Sequence, residues 1–180
     1  MSTLKVDSIL DTSGNDTVTG KILQVQTTNV STISSQSVTA DTFAEITGVS
    51  VNITPSSTSS KILLFGSWFG EFTNVAADYN HMFSFRRDTT YLGSPVDGNR
   101  TVGIGMATRT NFNTDANSTP NYLSGMTYLD TPATTSEITY KLYFVNSYTM
   151  TVYNNRTIAD TNASGYERGM SMITAMEIAA

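Results

Sequence analysis

At 180 residues the chain is long enough for one domain that buries about 70% of the surface its unfolded form exposes. Only 14% of residues are charged, the net charge is −5, and cysteine is absent. These features exclude disulfides, thiol catalysis and cysteine-ligated metal. A scattered acidic surface without a basic stripe argues against nucleic-acid partners.

Polarity comes from hydroxyls and amides instead of charge: 30 Thr, 21 Ser and 14 Asn make up 65 of the 180 residues. Threonine suits a pleated strand, since its branched Cβ packs on the sheet while its hydroxyl can face water. Hydrophobic residues at 39% supply enough apolar surface to offset the entropy of ordering, so a folded β-domain is expected over disorder.

The first twenty residues stand apart. Leu4, Val6, Ile9 and Leu10 form a short apolar patch, too small for a core of its own, and Asp11-Thr12-Ser13-Gly14-Asn15-Asp16 is turn chemistry. This predicts an attachment arm over residues 1–20, docking on another protein or a neighbouring subunit, ahead of a β-domain over 21–180; a frayed terminus is the alternative. The segment lacks the basic head and apolar core of a signal peptide, and no run approaches membrane length. The expectation is synthesis in a cytoplasm without membrane insertion.

Strand signals then recur between polar turns. Residues 21–28 are one candidate strand and 39–46 a second, less regular one. Val49, Val51 and Ile53 alternate with Ser50, Asn52 and Thr54, the period of a half-buried strand. Pro55 ends it, and five Ser/Thr residues (56–60) carry the chain around a turn. Ile62-Leu63-Leu64-Phe65 shows no alternation, which predicts a strand buried on both faces between stacked layers. Residues 82–87 alternate, with Phe83 and Phe85 on one face, and a turn leads to Tyr91 and Leu92. Residues 93–120 are irregular, holding four of the twelve glycines and two of the four prolines.

Strand character resumes over 122–129. It is clearest where Ile138, Tyr140, Leu142 and Phe144 oppose Glu137, Thr139 and Lys141. Tyr148, Met150 and Val152 make a further strand, stopped at Asn154-Asn155. At the end Met170, Met172, Met176 and Ile178 share one parity, with Ser171 and Glu177 on the other. No convincing helical period or fixed repeat appears. The expected fold is all-β, an antiparallel β-sandwich of jelly-roll type with a short extended N-terminal arm. Ile62, Leu64, Ile138, Leu142, Phe144, Met172 and Ile178 are expected in its core or in a subunit contact.

Chemistry is sparse. His81 is the sole histidine, so multi-histidine metal sites are impossible. A serine triad would need His81, yet no Gly-x-Ser-x-Gly motif accompanies it, and a packing or strand-edge role is expected. The turn at 11–16 superficially matches a calcium loop but lacks the ligand spacing and closing glutamate. Gly103-Ile104-Gly105 has no third glycine and no strand–turn–helix context for a nucleotide. Asp115, Asp130, Glu137 and Glu167 could furnish a glycosidase pair, but nothing selects two of them. Trp68, Tyr79, Tyr91, Tyr122, Tyr143 and Tyr148 could include a sugar-stacking platform, although core or interface packing is the commoner use of such rings. Arg86-Arg87 could pair across a subunit interface or form a solvated strand end. No active site emerges, and neither enzymatic activity nor a cofactor or metal is expected.

Several segments together resemble one group: Leu4–Asp16, Val49–Leu64, Tyr128–Lys141 and Arg168–Ile178. They are similar to small virion structural proteins of tailed phages, especially cyanophages and other marine phages, of tail-fibre-like type. The resemblance covers most of residues 4–178 and is weakest between 93 and 121. It implies a trimeric β-sandwich displayed on the particle, located in the virion and attached through the N-terminal segment to other virion proteins. A host surface glycan is a further implied partner. It carries no catalytic residue onto this chain. Other readings are a capsid-decorating protein or head fibre and, from a different class, a carbohydrate-binding or glycan-degrading module.

Overall fold

A computed structural model of the chain describes residues 20–73, 80–108 and 118–180. The four arm residues Leu4, Val6, Ile9 and Leu10 lie outside them, as do Tyr79 and Asp115.

The described residues form eleven strands and no helix: β1 (Ile22–Val30), β2 (Ser34–Val38), β3 (Ala44–Ile53), β4 (Lys61–Phe72), β5 (His81–Arg87), β6 (Thr90–Leu92), β7 (Gly105–Ala107), β8 (Asn121–Asp130), β9 (Ile138–Val145), β10 (Met150–Asn154) and β11 (Ser171–Ile178). They pair antiparallel in two sheets packed face to face, so the chain is a β-sandwich. The first sheet runs β1-β11-β4-β10-β2 with β8 also on β4; the second runs β3-β9-β5-β6 with β7 also on β5. β11 pairs with residues 61–67 of β4 and β10 with 70–72, so these two strands lie end to end along one side of β4. β8 lies along the other side. β1 and β2 continue the same split outward.

Two asparagines hold the split. The Trp68 indole N–H donates to Asn154 Oδ1 at 2.8 Å, and Asn154 Nδ2 donates to Ser34 Oγ and Gln36 Oε1. Asn155, fully buried at φ 62°, donates to the Thr32 carbonyl and accepts from Ser171 Oγ at 2.8 Å. What reads in sequence as a plain strand stop is therefore a buried polar joint, with its donors and acceptors paired.

Between the sheets lies one core. Ile62, Leu64, Trp68 and Phe72 of β4 face Phe83 and Phe85 of β5 and Ile138, Tyr140, Leu142 and Phe144 of β9. Trp68 stacks on Phe72 at 4.8 Å between centroids, and Phe144 lies 5.2 Å from both Phe72 and Phe83. Gly70 makes room for this cluster. A Cβ there would fall on the Tyr153 carbonyl oxygen and on the Trp68 ring, so neither backbone nor indole could stay in place. Gly70→Ala is expected to destabilise the fold by about 1–3 kcal/mol. An unchanged midpoint in urea would show that the β4–β10 contact is looser than described.

Several sequence expectations are corrected. Residues 39–46 are not one strand: 39–43 form a turn with Asp41 at φ 57°, and β3 runs unbroken from Ala44 to Ile53. Gly48, at φ +81°, sits in a bulge where β3 slips register against β9, so the alternation restarts without the strand ending. β2, Ser-Ser-Gln-Ser-Val, carries no apolar signal and is held as a strand by pairing with β10. β4 is not sandwiched between layers. Leu63, Phe65 and Phe69 are half-buried on its outward face, over which the described residues place no third layer. β11 faces the opposite way from its methionine parity. Ile173 and Ala175 point into the core with Ser171 and Glu177, while Met172, Met176 and Ile178 are half-buried on the outside. Of the seven positions expected in the core or in a subunit contact, five are in the core; Met172 and Ile178 lie half-buried on the outer face.

Candidate functional site

The buried polar groups come first, because they are where chemistry could reside. Glu177 enters the core side of β11 fully buried. Its Oε1 accepts from the Ser56 N–H at 2.7 Å and Ser56 Oγ at 2.6 Å, and its Oε2 accepts from Gln24 Nε2 at 2.6 Å. Gln24 Nε2 also donates to the Thr54 carbonyl, so β1, β11 and the β3–β4 turn share one network. Burial alone would raise the carboxyl pKa, but the hydrogen bonds from Ser56, Ser60 and Gln24 outweigh it and hold the group at about 2. The Ser/Thr-rich turn is thus the socket of a buried carboxylate, a role its sequence does not signal.

Asp130, at the end of β8, accepts both contacts of Arg87 Nη1, at 3.0 and 2.9 Å, and the Tyr140 hydroxyl at 2.7 Å. Burial and the neighbouring carboxylate push the Tyr140 phenol far above its ordinary pKa. This cluster ties the edge of the first sheet to β5 and β9 of the second. Arg87 therefore has its carboxylate partner within the chain. Arg86 instead lies over the rings of Tyr143 and Phe43, at 4.8 and 5.3 Å, and donates to the Thr89 carbonyl. Glu71, buried on β4, accepts from the backbone N–H groups of Thr119 and Ile158 and pins two loops.

Beyond the Arg87–Asp130 pair and the Arg86–Tyr143 contact, the residues singled out from sequence do not converge on one site. His81 is fully buried and stacked on Phe72 at 4.2 Å. Trp68 is fully buried in the core, Tyr122 and Tyr148 are exposed, and Tyr91 and Tyr143 are half-buried. Asp130 is committed to Arg87 and Tyr140, whereas Glu137 and Glu167 are exposed. No cluster of three or more His, Asp or Glu that could hold a metal occurs among the described residues. Nor does any described helix cross a membrane's thickness. A surface cleft of about 400 Å³ lies between the 40–43 turn and the 96–102 loop, lined by Asp41, Phe43, Asn99, Arg100 and Thr101.

The feature with the clearest capacity to act on another molecule is the outward face of the first sheet. Strand register places Val25, Met176, Leu63 and Leu129 side by side in one row across β1, β11, β4 and β8. Val25 and Leu129 are 48% and 50% exposed. On one flank lies Ile22 beside Ile178, with Lys61 next in line; on the other lie Thr27, Thr174, Phe65 and Thr127. Thr27 and Thr174 share a hydrogen bond at 2.9 Å. Beyond these come Met172 and, toward the far end of β4, Phe69 beside Tyr122. An apolar row four strands wide is unusual on a sheet face turned to solvent, where polar side chains normally alternate outward. Sequence reasoning missed it because Met172 and Ile178 read as core or subunit-contact residues together with Ile62 and Leu64, which face the other way. The signal available was the unbroken apolar run of β4. No protein-family model matches the chain, and comparison with curated proteins gives no match.

Proposed function

We propose that the chain is a non-enzymatic structural component of a tailed-phage virion, a tail-fibre-type subunit that assembles as a homotrimer and docks to other virion proteins through residues 1–20. The observation that carries this reading is the largely apolar, in-register outer face on a sandwich with no helix among the described residues, together with the sequence resemblance to phage virion proteins. The strand order fits a jelly roll. With the split strands joined (β1/β2, β10/β11 and β6/β7), each sheet is four strands wide, and the chain changes sheets at most connections. Such a subunit needs no cofactor. The cleft beside Phe43 and Arg100 is the place where this reading would put contact with a host surface glycan.

Immunogold labelling of intact particles is expected to mark the tail. Gold on the capsid faces would replace this role with capsid decoration or a head fibre. Deleting residues 1–16 is expected to leave a folded oligomer by light scattering and to abolish incorporation into particles. Normal occupancy by the truncated protein would place attachment elsewhere. Turnover of surface polysaccharide by the purified protein would overturn the non-enzymatic assignment.

A further inference from the structure

We propose that copies of this chain meet through the outer face of the first sheet, with the row Val25, Met176, Leu63 and Leu129 at the centre of the contact. The proposal rests on the homo-oligomeric part of the reading above and names the surface that makes it. Three properties of the face point to a second copy as the occupant. Its centre has the composition of an interface core, aliphatic, methionine and aromatic side chains flanked by Thr27, Thr127 and Thr174 with Asn29 and Ser67, and no carboxylate occurs among the outward residues of β1, β11, β8 and residues 61–69 of β4. Its one charge there, Lys61, sits at the rim.

Charge gives the second argument. A chain of net charge −5 repels its own copies, so a self-contact has to form where carboxylates are missing, and this face meets that condition. Extent gives the third. Four strands and four residue rows span about 14 by 20 Å between Cα positions. Side chains and rim enlarge that toward the roughly 800 Å² each partner commits in a specific complex. Every copy presents the same carboxylate-free, largely apolar face, so copies grouped around a common rotation axis can bury it against one another.

The test uses the full chain, whose lack of cysteine allows single thiols to be introduced cleanly. Light scattering is expected to give a multiple of 19.5 kDa for the unmodified protein. Val25→Lys and Leu129→Lys, at half-exposed positions the isolated fold tolerates, are expected to shift the mass toward that of one chain with an unchanged circular dichroism spectrum. The thiol of Met176→Cys should react with maleimide at least about tenfold more slowly than that of Val96→Cys, which is 68% exposed in the β6–β7 connection, and the Val25→Lys background should narrow the difference to that between a half-buried and an exposed site. An oligomer whose mass ignores both lysine variants overturns the proposal while leaving the homo-oligomer reading intact. A single-chain mass for the unmodified protein overturns both. Deleting residues 1–19 is expected to change neither the number of chains per particle nor the labelling. If that deletion alone exposes the Met176→Cys thiol in a single-chain protein, the face is covered by the chain's own N-terminal segment and the proposal fails.

Discussion

Trp68→Ala is expected to cost about 3–5 kcal/mol, the usual range for emptying a buried aromatic site. Trp68 is fully buried, stacks on Phe72 and lies 5.1 Å from Phe83, so truncation opens a void bounded by rings that cannot all collapse into it. It also removes the N–H that satisfies Asn154 Oδ1, at the joint where β10 and β11 part. Trp68→Phe separates the two effects. It keeps much of the packing and loses the hydrogen bond, so a smaller loss of about 1–3 kcal/mol is expected. Against a total stability of about 5–15 kcal/mol, the alanine variant should melt roughly 6–20 °C lower. Equal losses for the two variants would mean that the hydrogen bond, and not ring packing, dominates at this position.

Acid should destabilise the protein through Glu177. Its carboxyl is held at about 2 in the fold, against an ordinary value of 4.5, so the unfolded chain binds the proton first as pH falls. The stabilisation is complete above about 4.5 and is lost between there and about 2. A displacement of that size corresponds to about 3 kcal/mol. Glu177→Gln removes the charge and turns an amide donor toward either Ser56 or Gln24, each of which itself donates. It is expected to cost about 1–3 kcal/mol at neutral pH and to flatten the acid limb of a stability–pH curve measured by urea unfolding. An acid limb between pH 4.5 and 2 as steep as that of the unmodified protein would assign the proton uptake to another group.

These two positions show what could be read along the chain and what could not. The fold class followed from local pattern. Val49, Val51 and Ile53, or Ile138, Tyr140, Leu142 and Phe144, alternate with the period of a strand, and each set is buried as that period requires. Proline and hydroxyl-rich turns marked the ends because their backbone chemistry is local too. The orientation of β11 was not legible. Its even-numbered apolar residues, Met172, Met176 and Ile178, outnumber Ile173 and Ala175 of the opposite parity, and the deciding fact is that Glu177 and Ser171 find partners on Ser56, Gln24 and Asn155. A buried polar residue looks like a surface residue until its partner is known. The same holds for β2, a strand only because β10 lies beside it, and for Asp130, whose availability ends with Arg87 and Tyr140. The apolar row across the first sheet is the extreme case. Val25, Leu63, Leu129 and Met176 are spread over 151 positions of the sequence, and only strand register makes them one surface. Periodicity thus determined which segments are strands, since it depends on neighbouring residues alone. Pairing between distant segments decided which face of each strand is covered and which is left exposed.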